Sequence, residues 1–226
     1  MYNLGRSHEE AKRGYTVNTA KYICIEGVIG AGKTSLAKML GERLQAQVIY
    51  EKPEENPFLE DFYRDPQRYA FQVQIFFLLS RYRQQQERFQ RDLFYDAMIS
   101  DYLFAKDRIF AHLNLEDREL FLYDKVASLL EKEVPKPDLV VYLQSSFERL
   151  MANIKKRGRS YEKYMSEEYI RSLNEAYNRF FFHYSQTPLL VINSSIIDFV
   201  ENKDDFEELV KQILRPHSGI EFFSPG

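Results

Sequence analysis

Short apolar runs alternate along the chain with longer stretches in which apolar residues recur every three or four positions. Runs of this length predict buried strands, and the periodic stretches predict helices. The predicted strands are Tyr22–Ile25, Gln47–Tyr50, Ala97–Ser100, Leu139–Leu143 and Leu189–Ile192. The predicted helices cover residues 35–44, 66–91, 116–132, 146–154, 166–184 and 203–214. This alternation predicts an α/β fold with a five-stranded parallel sheet flanked by helices.

The length and charge of the chain narrow its class further. A chain of 226 residues with 44% apolar content suits one α/β domain, so we expect an N-terminal arm at 1–20, a single domain at 21–215 and a C-terminal tail at 216–226. The net charge is −3 without a long basic block, which argues against an extended nucleic-acid-binding face. Residues 1–20 lack the apolar core of a secretory signal and no apolar run has membrane-crossing length, so we expect a cytoplasmic protein without membrane contact.

The first predicted strand runs directly into the pattern Gly27-x-x-x-x-Gly32-Lys33-Thr34, and a predicted helix follows. Strand, glycine-rich loop and helix in this order are typical of a phosphate-binding loop. Its N–H groups point at phosphates, Lys33 adds a positive charge, and the Thr34 hydroxyl is a ligand for Mg²⁺. We therefore expect a nucleoside triphosphate to bind at Gly27, Val28, Ile29, Gly30, Ala31, Gly32, Lys33, Thr34 and Ser35.

Two carboxylates follow predicted strands at the edge of the sheet where this loop lies. Glu51 comes directly after the second strand and Asp101 directly after the third. The carboxyl ends of parallel strands meet at one edge, so both side chains are aimed at the same crevice. Asp101 has the usual position of an acidic partner of Mg²⁺ in phosphate-loop enzymes, a position that also suits a helix cap. From its position alone, Glu51 is either a functional residue or a solvated loop carboxylate, and the position does not decide between the two.

Two polar residues, Gln74 and Arg81, interrupt the apolar half of the predicted helix at 66–91. They are seven residues apart and therefore share one face of the helix. A buried glutamine and a buried arginine need partners, which are either protein groups or a ligand. A basic cluster at Lys155–Arg159 ends the helix after the fourth strand. It is either dipole compensation or a mobile lid whose arginines serve a transferring phosphoryl group.

Together with Asp107, these features resemble the deoxynucleoside kinase family over roughly residues 21–215. The resemblance implies a P-loop NTPase fold with an arginine-bearing lid. It also implies Mg²⁺-dependent transfer of the γ-phosphoryl of ATP to the 5′-hydroxyl of a deoxynucleoside. An aspartate in the base site accepts from an exocyclic amino group, so adenine, cytosine or guanine is expected before thymine. Deoxyadenosine and deoxyguanosine are the favoured acceptors, and deoxycytidine is a third candidate.

The resemblance also implies individual roles. Glu51 matches the general base that takes the proton of the 5′-hydroxyl, while Tyr63 and Glu162 match residues that contact the sugar 3′-hydroxyl. The trio that hydrogen-bonds the base is matched by Gln74, Arg81 and Asp107. The remaining implied site residues are Lys33, Arg157 and Arg159 for the transferring phosphates, Asp198 and Phe199 for the adenine of ATP, and Thr34 and Asp101 for Mg²⁺.

The chain departs from the family at the end of the third strand. The family has an acidic residue followed by arginine there, whereas this chain has Asp101 and Tyr102. That arginine normally helps to hold the 5′-oxygen and the catalytic carboxylate. We expect either that another cation, with Arg108 as the candidate, takes over this task or that the task is done differently.

Two other functions compete with the deoxynucleoside kinase interpretation. A nucleoside monophosphate kinase, such as a thymidylate kinase, binds an acceptor phosphate and would need an arginine in the acceptor pocket instead of Glu51. A nucleotide-binding regulator would bind its nucleotide tightly and release no acceptor-dependent product. The family resemblance further implies a homodimer, for which the aromatic-rich helix from Pro66 is a candidate face.

Overall fold

Six strands form one parallel sheet in the computed structural model, which describes residues 20–89, 95 and 97–224. The strands are β1 (Tyr22–Gly27), β2 (Gln47–Ile49), β3 (Met98–Ser100), β4 (Leu139–Gln144), β5 (Leu189–Asn193) and β6 (Ile220–Phe223). Their order across the sheet is β2-β3-β1-β4-β5-β6, and every neighbouring pair is parallel. The predicted α/β fold is confirmed. Of the predicted arm, all but Ala20 lies outside the described residues.

Strand β1 lies at the centre of the sheet, and all six of its residues are buried. Cys24 is opposite Ser100 on one side and opposite Val140 on the other. The neighbouring strands β3 and β4 also present apolar side chains to both faces of the sheet, which is the pattern of a parallel sheet covered by helices. The chain builds the β2 and β3 side of the sheet first and then crosses to β4. The strand order therefore reverses beside β1, where α/β sheets place ligands at the carboxyl edge.

Helices flank this sheet at the positions that the apolar periodicity predicts. The longer ones are α1 (Lys33–Leu44), α3 (Pro66–Phe89), α5 (Asp117–Leu130), α6 (Phe147–Arg157), α7 (Glu167–Phe182) and α8 (Lys203–Leu214). The side chains of Ser146 and Ser166 cap α6 and α7 by accepting from the backbone N–H groups of Arg149 and Tyr169. Two short helices were not predicted, α2 (Leu59–Arg64) and α4 (Asp107–Asn114), because so few turns carry little periodicity. None of the described helices combines the length and the apolar character that crossing a membrane requires.

The prediction of five strands is wrong, because Ile220–Phe223 adds β6 beside β5. This strand lies within residues 216–226, where the sequence suggests only a tail. It is the edge of the sheet, and its alternate residues Ile220 and Phe222 are 42% and 75% exposed. A four-residue edge strand needs neither a continuous apolar run nor burial on both faces. The sequence pattern therefore carries no strong signal for it.

Candidate active site

The phosphate loop connects β1 with α1, and glycines give it its shape. Gly30 and Gly32 have φ angles of 90° and 94°, which side chains other than glycine rarely adopt. A Cβ atom on Gly32 would also lie 3.1 Å from the ring of Phe199. Lys33 begins α1, and its ammonium group donates to the backbone oxygen of Gly27 at 2.7 Å. The loop is thus already folded around the lysine that would contact phosphates.

Asp101 links the carboxyl ends of three neighbouring strands. Its Oδ2 accepts from the hydroxyl of Thr34 at 2.6 Å, and its Oδ1 accepts from the backbone N–H of Glu51 at 2.7 Å. Burial raises the pKa of Asp101, and these two hydrogen bonds oppose the rise. The two residues predicted as metal ligands, Thr34 and Asp101, therefore lie in contact at the mouth of the phosphate loop. A hydroxyl and a carboxylate are suitable ligands for Mg²⁺, which takes its other ligands from water and substrate phosphates.

Glu51 lies between two buried cations. Its Oε1 accepts from the guanidinium of Arg81, with the Nε atom at 2.8 Å, and its Oε2 accepts from the ammonium of Lys106 at 2.7 Å. Burial by itself raises the pKa of Glu51, but Lys106 and Arg81 outweigh burial and hold the pKa well below its usual range. The carboxylate is therefore ionised and oriented in the absence of a ligand.

The residues predicted to bind the base come together around Arg81. Its guanidinium contacts the carboxylate of Asp107 as well as Glu51. Asp107 also accepts from the hydroxyl of Tyr123 at 2.7 Å, and its backbone oxygen accepts from the amide of Gln74 at 3.0 Å. Asp107 is 1% exposed and lies behind Arg81, so that only Gln74 and Arg81 of the predicted trio line the cavity described next.

Seven aromatic residues help to line a cavity, the aromatic cavity, which opens in front of Glu51 and Arg81. The rings of Tyr63 and Tyr161 face each other at an angle of 7°, with their centroids 6.3 Å apart. A cavity that combines aromatic rings with hydrogen-bonding groups is typical of sites for flat organic ligands. Its aromatic lining consists of Phe62, Tyr63, Phe77, Phe110, Tyr161, Tyr169 and Tyr177.

A second cleft lies over the phosphate loop and extends to Asp198 and Phe199. Phe199 is 5% exposed and packs against Gly32, whereas Asp198 is paired with Arg149 at 3.4 Å. The aromatic cavity and this cleft share four lining residues, which are Lys33, Thr34, Arg157 and Arg159. Ligands in the two spaces would therefore meet beside Lys33.

The predicted lid follows α6 as a short 3₁₀ helix, Ser160–Tyr164. Arg157 forms an ion pair with Glu162, whose side chain is 4% exposed. Arg159 donates to the hydroxyl of Tyr161 at 2.7 Å. Arg157 was predicted to contact the donor phosphates and Glu162 the sugar, and the structure pairs these two side chains with each other.

The prediction that Arg108 replaces the missing family arginine beside Glu51 is wrong. Arg108 donates to Asp124 at 2.9 Å and to Glu131 at 3.1 Å, away from the cavity. Lys106 contacts Glu51 instead. The sequence does carry a signal for it, because Lys106 follows the apolar run at 103–105 in a segment that must be buried. A lysine in such a place needs a carboxylate partner.

These features define a class of protein. A phosphate loop at the carboxyl edge of a parallel sheet and an arginine-bearing segment over it are the parts of a phosphoryl-transfer site. A separate cavity that ends at a carboxylate leaves room for an acceptor. The fold and the site are those of a P-loop kinase with a small-molecule acceptor.

Comparison with known proteins narrows the class. A family profile described as deoxynucleoside kinase matches residues 23–217. The chain is 36% identical over 202 residues to the deoxyguanosine kinase of Bacillus subtilis (strain 168), and this match covers 87% of this chain and 98% of the relative. It is also 36% identical over 211 residues to the deoxyadenosine kinase of Dictyostelium discoideum, with 90% and 82% of the two chains covered.

Solved structures agree with these matches. The structure of deoxyadenosine kinase from M. mycoides with bound dATP superposes with a TM-score of 0.74 and 27% sequence identity, over 85% of this chain and 98% of that chain. The chain belongs to the deoxynucleoside kinase family. The interpretation of the sequence as a deoxynucleoside kinase is thereby confirmed.

Proposed function

We propose that the protein transfers the γ-phosphoryl group of ATP to the 5′-hydroxyl of a purine deoxynucleoside and so forms the monophosphate, a reaction of nucleotide salvage. The observation that carries this proposal is the position of Glu51. Its ionised carboxylate lies at the end of the aromatic cavity, beside Lys33 and Thr34 of the phosphate loop. A carboxylate between an acceptor cavity and a donor cleft can receive the proton of an attacking hydroxyl.

The remaining residues position the two substrates. Lys33 and the N–H groups of the loop hold the donor phosphates, and Arg157 and Arg159 add positive charge to the transferring group from the lid. Tyr63 and Glu162 contact the deoxyribose, and Asp198 and Phe199 border the adenine of ATP. Because phosphoryl transfer needs little covalent help from the protein, most of the rate acceleration comes from this positioning and from charge stabilisation.

Mg²⁺ belongs to the proposal as a cofactor held by Thr34 and Asp101. The hydrogen bond between these two side chains joins a suitable pair of oxygen ligands at the loop. When bound, the ion would neutralise charge on the donor phosphates. Asp101 also holds the backbone of Glu51, so the metal ligand and the base are fixed relative to each other.

The charge in the acceptor cavity argues against a nucleoside monophosphate kinase. Among the described residues, Arg81 and Lys106 are the cations that form ion pairs with Glu51. An acceptor phosphate would have to enter beside Glu51, whose negative charge repels it. A neutral hydroxyl meets no such repulsion and can donate to the carboxylate.

The names of the relatives favour a purine base, and the lining of the cavity favours a base with an exocyclic amino group. The relatives described above act, by name, on deoxyguanosine and deoxyadenosine, and a further relative from Bacillus subtilis, 29% identical over 199 residues, is a deoxyadenosine/deoxycytidine kinase. Gln74 and Arg81 line the cavity with hydrogen-bonding groups, and Asp107 stands behind them. Both purines and cytosine offer an exocyclic amino group to such a site.

A transfer assay tests the proposal. With labelled ATP and Mg²⁺, we expect labelled monophosphate from deoxyadenosine or deoxyguanosine, less from deoxycytidine, and none above background from thymidine. The deoxynucleoside monophosphates serve as alternative acceptors in the same assay. Transfer to a monophosphate alone would favour the rival kinase, and ATP binding without any acceptor product would favour a regulator.

The affinity for ATP should depend on pH through Lys33. Burial, together with repulsion from Lys106, lowers the pKa of Lys33 to about 8. The unliganded protein therefore loses the positive charge of Lys33 above about pH 8, and we expect the Kd for ATP to rise by up to tenfold per pH unit there. Titration calorimetry between pH 6.5 and about pH 9.5 measures this rise. The Lys33→Met variant, which has no charge to lose, is the control and should bind weakly with little change over that range.

A homodimer is also part of the proposal. The described side chains of α3 are largely packed within the chain, with Leu79 as its large exposed apolar residue, whereas α5 exposes Phe121, Leu122 and Leu129. Sedimentation equilibrium measures the oligomeric state directly.

A further inference from the structure

Lys106 stands out among the buried charges of the site. Its side chain is 3% exposed, it lines the aromatic cavity, and its ammonium donates to Glu51 Oε2 at 2.7 Å. An ammonium group has three N–H donors. Within the described part of the chain, Glu51 is its hydrogen-bond acceptor, and the ring of Tyr102 lies with its centroid 5.9 Å from the ammonium nitrogen, so the group keeps donors for a ligand. A buried ammonium group with unused donors is costly unless a ligand completes its contacts.

The two cations on Glu51 are held with different rigidity. Arg81 places Nε and Nη2 on Oε1, contacts Asp107 with the rest of its guanidinium, and packs against Phe77, with 4.8 Å from its Cζ to the ring centroid. Lys106 has a single hydrogen bond at the end of a flexible stem. When a hydroxyl approaches the carboxylate, Oε2 is therefore the oxygen that becomes available, and Lys106 is the group that shifts.

Lys106 also lies close to the donor side. Lys106 lines the same cavity as Lys33, and Lys33 also lines the cleft over the phosphate loop. The two lysines and Glu51 thus surround the place where the hydroxyl and the γ-phosphoryl group would meet. Tyr102, which follows Asp101, cannot donate a hydrogen bond to the reacting groups. It is fully buried, and its hydroxyl accepts from Gln85 at 3.2 Å.

This inference rests on the proposed function. We propose that Lys106 is a catalytic residue, which holds Glu51 before the nucleoside binds and donates to the 5′-oxygen and the transferring phosphoryl group during the reaction. The 5′-hydroxyl gives its proton to Glu51, and its oxygen forms the new bond to the γ-phosphorus. The bond from that phosphorus to the bridging oxygen breaks, and its electron pair leaves with ADP. Lys106 keeps its proton and stabilises charge through hydrogen bonds only.

The test compares Lys106→Met with Arg108→Met. We expect Lys106→Met to lower kcat by about 10²-fold, the usual loss for one charge-stabilising donor. Arg108→Met removes a cation two residues away that pairs with Asp124 and Glu131 outside the cavity, so it should keep kcat near the wild-type value. Lys106→Arg, which keeps a positive charge, should recover part of the loss. Circular dichroism and thermal unfolding verify that each variant is folded.

Two further measurements separate catalysis from a structural role. Without Lys106, burial raises the pKa of Glu51 against Arg81 alone, so the acidic limb of kcat/KM should move to higher pH. In Lys106→Ala, added ethylammonium should restore part of kcat.

The outcomes distinguish this inference from the proposed function. A wild-type protein that phosphorylates no deoxynucleoside overturns the proposed function itself. An active wild type together with a folded Lys106→Met variant of unchanged kcat overturns the role of Lys106. A lowered kcat with an unshifted acidic limb and no rescue by the amine would assign Lys106 to structure alone, and it would also overturn the inference.

Discussion

Glu51→Gln should lower kcat for the deoxynucleoside by roughly 10²–10⁴-fold, the range expected when a general base is removed. The amide keeps the size of the side chain and still accepts from Arg81 or Lys106, but it cannot take the proton of the 5′-hydroxyl. In the proposed function, ATP contacts Lys33 and the loop but not Glu51, so the Kd for ATP should stay within a few-fold of the wild-type value. Steady-state kinetics and titration calorimetry measure the two quantities.

The control for this variant is Glu55→Gln, which changes a carboxylate in the same loop. Glu55 pairs with Lys52 at 2.7 Å on the surface, and its side chain is 51% exposed. We expect its kcat to equal that of the wild type. Unchanged turnover in Glu51→Gln would remove Glu51 from the role of base, and a parallel loss of ATP affinity would show that the substitution disturbs the phosphate loop.

Arg81→Met should destabilise the protein more than any other single truncation of a charge in the site. Arg81 is 4% exposed and lies between the carboxylates of Glu51 and Asp107. Its loss leaves Asp107 buried with Tyr123 as the hydrogen-bonding side chain that remains among the described residues. Removing one partner from a buried ionic cluster typically costs about 3–5 kcal/mol, and we expect a loss of this size in the free energy of unfolding in urea at pH 7.

The loss should depend on pH with a definite sign. Arg81 is one of the two cations that lower the pKa of Glu51 against the effect of burial. The stabilisation that this shift gives to the wild type is present above the unfolded pKa of glutamate, about 4.3, and disappears as the pH falls further. The difference between Arg81→Met and wild type should therefore shrink below about pH 4.3. A difference independent of pH would contradict the electrostatic explanation.

Arg108→Met again supplies the matched control. Its guanidinium also pairs with two carboxylates, Asp124 and Glu131, but its side chain is 29% exposed. Exposed and partly exposed ion pairs contribute about 0–1 kcal/mol, so the loss should be no larger than that. Equal losses in the two variants would show that burial between Glu51 and Asp107 does not distinguish Arg81.

The parts of the site that follow directly from the sequence are those built by consecutive residues. The loop from Gly27 to Thr34 joins its strand and helix in a single segment, so its glycine spacing and its flanking apolar runs identify it. Glu51 and Asp101 were predictable for a related reason, because parallel strands end at one edge. Edge strand β6 and the short helix α4 were not, because local pattern fades in elements of a few residues.

The sequence by itself determined the α/β fold, the phosphate loop and the family resemblance, because each depends on order and spacing along the chain. Only the tertiary structure decided which cation accompanies Glu51. Lys106 and Arg108 are two residues apart, yet they point to different sides, and Lys106 alone reaches the carboxylate of a strand end 55 positions earlier. The tertiary structure also decided that Arg81 contacts both Glu51 and Asp107. The pairing of buried charges depends on packing in three dimensions, which spacing along the chain does not specify.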